Sequence, residues 1–287
     1  VLYNLIETPT PEPFMTFLNR LFIFSMISFL LVACATSPTG RKQLMLVSEE
    51  SSIVSSKQAY LSTVKQLDDA GKIEENWVIN KRVEVITGQL ITEAIKIRPE
   101  TARWEWSVVV IDDPETINAW CMAGGRMAIY TGLIKKIDPT DDELAQVMAH
   151  EIAHALAKHT AEKMSMQMAT AAGVAAVGIA SDNTGVALSG AALTAMLAVN
   201  LPNSRAAEKE ADEIGIELAA KAGFNPAAAA TLWKKMGAAS KSGTPQFLST
   251  HPEPENRQRE LARLEPEMQK YYDPSADHPV YPLRLTD

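Results

Sequence analysis

Residues Thr140-Asp141-Asp142-Glu143-Leu144-Ala145-Gln146-Val147-Met148-Ala149-His150-Glu151-Ile152-Ala153-His154 combine a helix start signal with a reactive pattern. Thr140 and Glu143 have the spacing of a capping box, in which each side chain satisfies a backbone amide of the other. Asp141, Asp142 and Glu143 put negative charge at the positive end of the helix dipole. Leu144, Val147, Met148, Ile152 and Ala155 recur at three- and four-residue steps and predict a buried face. His150 and His154 are one turn apart, so they point the same way and can grip one ion. Neutral imidazole is a favoured zinc ligand. Glu151, beside the first histidine, can reach a water at such a metal without ligating it. The pattern therefore divides the labour: histidines bind, and the glutamate serves as general base.

A catalytic zinc needs three protein ligands and one open position, so a third ligand must come from elsewhere. His159 lies nine residues after His150, roughly 180° around a continuous helix, and is expected to face away as a surface or packing residue. His278 falls in a tail without periodicity. A helix predicted from Asn203 or Ser204 to Gly223 offers a better source. Its Glu208 and Asp212 share a face; the first can complete a zinc shell, and the second can accept the outer N–H of a ligand histidine. Glu210 sits roughly 200° from Glu208 and is placed on another face. An acidic pair on a helix can equally be a solvated surface, so spacing alone leaves both readings open.

Around this centre the 287 residues suffice for one sizeable domain or two small ones. With 46% hydrophobic and 22% charged residues, the composition is that of a folded chain, which excludes disorder. A net charge of -8 without any long Lys/Arg block argues against nucleic acid as partner. Helices are predicted from Ser48 to Asp69 and from Asn80 to Ile97, the second with Val83, Ile86, Leu90, Ile91, Ala94 and Ile97 as its apolar stripe. Short strands are predicted over Trp104 to Ile111, Ile117 to Met122 and Arg126 to Thr131, with Gly124-Gly125 opening the last connection. Pro226 starts a further helix, and a charged one runs from Pro254 to about Tyr272. The Ala/Gly-rich stretch from Ala169 to Val199 is split at Ser181 to Gly185 into pieces too short to span a bilayer, and reads as a tightly packed helical pair.

The N-terminal region carries a targeting signal. Arg20 precedes an apolar run from Leu21 to Ala33, the length of a signal-peptide core. Its end, Leu31-Val32-Ala33-Cys34, resembles a bacterial lipobox, which implies cleavage before Cys34 and lipid on that cysteine; stable anchoring takes two acyl chains. An ordinary signal peptide with a chance cysteine is the alternative. Val1 to Phe14 fit no targeting pattern, and Met15 reads as the more natural start. The expected organisation is thus an upstream extension and signal peptide (1–33), a small polar tether (34–45), the main domain (46–272) and a tail (273–287). With Cys34 lipidated, Cys121 has no partner, and its apolar surroundings suggest a buried, inert thiol.

Taken together, His150-Glu151-Ile152-Ala153-His154, the run from Ser204 to Asp212, Ser249-Thr250-His251-Pro252 and Arg257 carry a family likeness. Asn118-Ala119, Gly124-Gly125, Tyr130-Thr131-Gly132-Leu133 and Gly40 to Leu44 extend it over about residues 38 to 264. In these motifs the chain resembles the HtpX and CAAX prenyl endopeptidase family of gluzincins, and within it the bacterial periplasmic lipoprotein subgroup. One departure is Ala123, where the family usually has proline.

The resemblance implies an α+β, mainly helical gluzincin-type metallopeptidase domain with a small β-sheet packed on the HExxH helix. It implies one Zn2+ on His150, His154 and Glu208, Glu151 as base, Asp212 behind a ligand histidine, and Arg257 anchoring the His251 loop. His251 itself would either donate to an oxyanion or occupy the open position. Substrate would lie extended along an edge strand at Asn118, Ala119, Gly125 and Met127. The implied substrates are unfolded or misassembled envelope proteins, met in the periplasm by an enzyme lipid-anchored to the outer membrane, with the outer-membrane assembly machinery as a further partner. The rival expectation is an assembly factor or chaperone with gated proteolysis. A passive structural zinc would fill all four positions with protein ligands.

Overall fold

The computed structural model describes residues 34–180, 204–239, 246–251 and 257–283. An antiparallel hairpin, β1 (Cys34–Thr36) and β2 (Lys42–Leu44), leads into helices α1 (Glu49–Asp69) and α2 (Trp77–Ile97). Strands β3 (Ser107–Ile111), β4 (Ala119–Met122) and β5 (Arg126–Tyr130) follow. Then come α3 (Thr131–Ile137), α4 (Asp141–Leu156) and α5 (His159–Ala180). Beyond these lie α6 (Arg205–Lys221), α7 (Ala228–Ala239), the short α8 (Gln246–Thr250) and α9 (Arg257–Met268). The signal-peptide region 1–33 and the second half of the expected Ala/Gly-rich helical pair lie outside the described residues. No described helix is long and apolar enough to cross a membrane.

Helix starts follow side-chain chemistry. Thr140 Oγ1 accepts from the Glu143 amide at 3.2 Å while Glu143 Oε2 accepts from the Thr140 amide at 2.9 Å, so the capping box forms at α4. Ser48 caps α1 and Ser204 caps α6, each accepting from the amide three residues on. Asn76 Oδ1 accepts from Val78 and Ile79, which starts α2 at Trp77 rather than at the expected Asn80.

The sheet has the order β3-β5-β4, with β5 parallel to β3 and antiparallel to β4. This corrects the expectation of an edge strand at Gly125 and Met127. Met127 is fully buried in the central strand, opposite Val108 on one side and Cys121 on the other, and Gly125 belongs to the turn that feeds it. Gly125 has φ +80, and a Cβ there would overlap the Trp106 ring, so only glycine fits. The outer strands are β3 and β4; Glu74 N donates to Val110 O and Ile73 bridges Ile111 along the outer side of β3, which leaves β4 as the edge without such a partner among the described residues. Alternation sorts the two faces: Val108, Val110, Met127 and Ile129 join the main core beneath α2 and α4, while Val109, Ile111 and Ala128 pack with Tyr60 of α1.

Two departures come from contacts that no local pattern announces. Residues 34–44, read from sequence as tether, form the hairpin, whose Ser37 and Gln43 are buried. The aperiodic tail lies along α2: Thr92 Oγ1 donates to Pro279 O at 2.7 Å and Tyr281 N to Gly88 O at 3.1 Å. At the centre, α6 packs on α4 at Gly215, where a Cβ would stand 3.1 Å from both the Cα and the N of His150. That close approach brings the acidic face of α6 to the histidines.

Candidate metal centre

From α4, His150 and His154 project together, their Nε2 atoms 3.1 Å apart. Glu208, in the first turn of α6, places Oε2 3.3 Å from His150 Nε2 and Oε1 3.4 Å from His154 Nε2. His251, at the end of α8, joins them, and one ligand atom from each of the four lies within 4.8 Å of the others. All four residues are buried.

These residues fit a metal ion. Glu208 Oε1 is buried without a hydrogen bond among the described residues, an arrangement that costs free energy unless a cation compensates it. Burial would raise the Glu208 carboxyl, but the facing imidazoles of His150 and His154 hold it well below the usual carboxylate range, so it presents an anion. Burial also pushes His154 down to about 3, against the pull of Glu208, and leaves a neutral ring with a lone pair to offer. Burial and Arg257 would lower His150, but its contacts with Asp212 and Glu208 carry it up to about 9, so it gives up a proton when it ligates. Two imidazoles, one of them so deprotonated, and a carboxylate then form a donor set for a divalent ion.

Glu151 sits beside this set and outside it. Burial pushes its carboxyl up to about 8; His150 opposes the shift and the Glu208 charge adds to it. The backbone amide of Cys121 on β4 faces the carboxyl, and the half-buried Cys121 side chain is a free thiol. Among the described residues Glu151 Oε1 has no hydrogen-bond partner, and it lies 3.4 Å from His251 Nε2. His251 stacks on Phe247, with ring centroids 4.5 Å apart, and its Nδ1 is 3.1 Å from the Phe247 carbonyl oxygen.

Asp212, one turn beyond Glu208, places Oδ1 3.0 Å from His150 Nδ1. That contact directs the His150 proton to Nδ1 and leaves Nε2 for a metal. Arg257, the first residue of α9, donates from Nε to Asp212 Oδ2 at 2.6 Å, from Nη2 to Asp212 Oδ1, and from Nη1 to Glu208 Oε2 at 3.2 Å. Its guanidinium lies 3.8 Å from the Trp233 ring centroid. Arg257 thus binds the two carboxylates of α6, and Pro252 to Asn256, between it and His251, lie outside the described residues.

Of the expected strand residues, Ala119 begins the outer strand β4 and Asn118 precedes it with its carbonyl taken by Tyr130 N of β5, whereas Met127 lies in the central β5 and Gly125 in the turn before it. His159 needs the opposite correction. Helix α4 stops at Leu156, Lys158 takes a left-handed φ of 59, and α5 restarts at His159. The break turns His159 inward, only 4% exposed, with Nδ1 2.7 Å from His154 Nδ1. Glu210, also buried, lies 3.1 Å from His159 Nε2. Neither Gly nor Pro marks the break, so a helical wheel drawn through it misplaces His159, whereas Glu210 lies on a different face of α6 from Glu208, as expected.

A buried pair of histidines one turn apart, a glutamate from a crossing helix and a second glutamate beside them with one oxygen unbonded among the described residues define the site of a metallopeptidase. Residues 79–265 match Peptidase family M48, well over half the chain, and the chain belongs to that family. Over 182 residues it is 37% identical to mitochondrial metalloendopeptidase OMA1 of Schizosaccharomyces pombe, covering 62% of this chain and 52% of that protein. Over 244 residues it is 32% identical to the Bos taurus metalloendopeptidase OMA1, covering 81% and 46%. The beta-barrel assembly-enhancing protease of Escherichia coli K12 is 30% identical over 207 residues, covering 68% and 40%. The chain spans about half the length of the curated relatives it matches.

Proposed function

We propose that this chain is a zinc-dependent endopeptidase acting on extended, unfolded polypeptide. The observation that carries the reading is Glu151: a buried carboxyl with an unbonded oxygen, placed beside the His150, His154 and Glu208 donors but outside their set. Zinc held by those three residues would supply Lewis acidity, polarising the scissile carbonyl and acidifying the attacking water. Burial raises Glu151 to about 8 in the metal-free chain; a cation on the neighbouring donors would lower it again and leave a carboxylate suited to take the proton from that water and pass it to the leaving amine. Asp212 holds His150 in the tautomer that leaves Nε2 for metal, and Arg257 holds Asp212.

Substrate would align along β4. Tyr130 N donates to Asn118 O at 3.0 Å, and antiparallel alternation then turns the backbone groups of Ala119 and Cys121 away from β5. Ala119 N donates to Asn118 Oδ1 at 3.0 Å, a bond that a peptide carbonyl could take over. Main-chain pairing of this kind selects extended backbone with little regard to sequence.

The proposed setting is quality control of envelope proteins in the bacterial periplasm, with the chain lipid-anchored through Cys34 to the outer membrane. The lipobox-like Leu31 to Cys34 and the likeness to a beta-barrel assembly-enhancing protease support it. The likeness to mitochondrial metalloendopeptidases bears on the chemistry and leaves this setting to the N-terminal sequence. A second reading, an assembly factor with gated proteolysis, is favoured by His251, which stands among the donors as a fourth candidate ligand. The test is cleavage of casein and of an unfolded outer-membrane β-barrel protein by the purified chain. Cleavage is expected to stop on chelation and to return with zinc; cleavage that persists in the chelated protein contradicts the proposal.

A further inference from the structure

A continuous hydrogen-bonded chain connects the metal centre to the N-terminal hairpin. His154 Nδ1 and His159 Nδ1 are 2.7 Å apart, and His159 Nε2 is 3.1 Å from Glu210 Oε2. On the far side, Glu210 accepts from Thr39 Oγ1 at 2.6 Å and from Arg41 Nε at 2.7 Å. Arg41 then grips Glu162 with Nη1 and Nη2, each at 2.6 Å. Gln43 Nε2 donates to Glu162 at 2.9 Å and to Ala157 O, at the break between α4 and α5, at 2.8 Å. His159, Glu210 and Gln43 are buried.

The direction of every bond in this chain follows from its ends. Arginine only donates, so Glu210 is an acceptor toward Arg41 and remains one toward His159. His159 therefore carries its proton on Nε2, and its Nδ1 offers a lone pair. Across the 2.7 Å contact, His154 must then donate from Nδ1, which leaves its Nε2 lone pair directed at His150 and Glu208. The outer partner of a ligand histidine normally fixes its tautomer in this way, and it is usually a carboxylate or carbonyl in direct contact. Asp212 does so for His150; for His154 the same role is carried out through an interposed imidazole.

We infer that His159 and Glu210 are positioning residues for the metal ligand His154, and that Thr39 and Arg41 of the β1–β2 hairpin lock them in place. The hairpin is then part of the support of the metal centre rather than a spacer preceding it. The inference rests on the metal-site reading above and extends it to five residues outside the donor set, with Gln43 tying the hairpin to the helix break.

The experiment measures Zn2+ affinity of the purified chain by competition with a chromophoric chelator. His159→Ala is expected to weaken binding by about 10–100-fold, the usual effect of removing an outer partner of a ligand. His159→Asn, whose Oδ1 can replace the Nδ1 acceptor, is expected to recover most of that loss. Arg41→Ala is expected to weaken binding on its own but to add nothing once His159 is Ala. Wild-type affinity in His159→Ala, no recovery in His159→Asn, or multiplying losses in the double variant each overturn the inference. A readout that needs no variant covers a failure to fold: nitrogen-edited spectra of the zinc-loaded chain should show His154 protonated on Nδ1 and His159 on Nε2. A His159 ring protonated on Nδ1 reverses the chain and overturns the inference. Should zinc bind the wild type without dependence on Glu208, the metal-site reading itself falls, and this inference with it.

Discussion

Nε2 of His251 stands 3.4 Å from Oε1 of Glu151, while Nδ1 of the same ring lies 3.1 Å from the carbonyl oxygen of Phe247. A carbonyl oxygen only accepts, so Nδ1 holds the proton and Nε2 turns a lone pair toward the centre. A lone pair can ligate a metal; it cannot donate to a developing oxyanion. Of the two roles open from sequence, the geometry therefore supports the gate. His251→Ala is predicted to raise cleavage of an unfolded substrate on the order of tenfold, as expected when a competing closed state is removed. A fall in kcat in that variant would instead make His251 a catalytic donor.

Arg257 is 1% exposed and paired with two carboxylates, so its loss leaves buried negative charge without compensation. Arg257→Ala is predicted to destabilise the fold by about 3–5 kcal/mol, measured by urea unfolding of the metal-free chain. Thr140→Ala, which removes one capping bond at α4, is predicted to cost only about 1 kcal/mol. Equal effects of the two would contradict the weight placed on Arg257.

At Gly215 an added methyl group meets the backbone of His150 at 3.1 Å. Gly215→Ala is predicted to push α6 off α4, destabilising by about 1–3 kcal/mol. Because Glu208 moves with α6, zinc affinity should fall as well. A variant with wild-type affinity would show that the ligand geometry tolerates the shift.

The pH dependence of stability should show a specific acid limb. Burial pushes the Glu143 carboxyl up, but Lys235 Nζ at 2.6 Å, the Thr140 amide and the Thr231 hydroxyl bring it below its ordinary 4.5. Glu162 behaves likewise, with Arg41 and Gln43 outweighing burial. A carboxyl depressed on folding contributes fully above its unfolded value and loses that contribution as pH falls through the folded value. The urea midpoint of the metal-free chain should therefore drop below pH 4.5, and Glu143→Gln should flatten the drop. An unchanged slope in that variant would remove Glu143 from the explanation.

What was legible in the sequence is what local chemistry determines. Thr140 and Glu143 announced α4, the four-residue step of His150 and His154 announced a shared face, and the spacing of Glu208 and Asp212 put two carboxylates on one side of α6. All six are placed accordingly. What stayed hidden depends on long-range pairing or on a single backbone angle. No local signal tells that β5 inserts between β3 and β4, so Met127 looked available at an edge. Lys158 adopts its left-handed angle without a glycine, so the inward turn of His159, and with it the partner that Glu210 finds there, has no local signal. The hairpin at 34–44 is small and polar in sequence, and only its contacts with Glu162 and Glu210 give it a place in the fold.

The most direct test of the proposed chemistry compares wild type with Glu151→Gln at equal, measured zinc occupancy, using an unfolded protein substrate. Glu151 lies beside the donor set and outside it, so the variant should bind zinc as the wild type does. Its kcat should nevertheless fall by about 10²–10⁴-fold, the contribution expected of a general base. Cleavage at the wild-type rate by a fully loaded Glu151→Gln protein would contradict the assignment of Glu151 as the base.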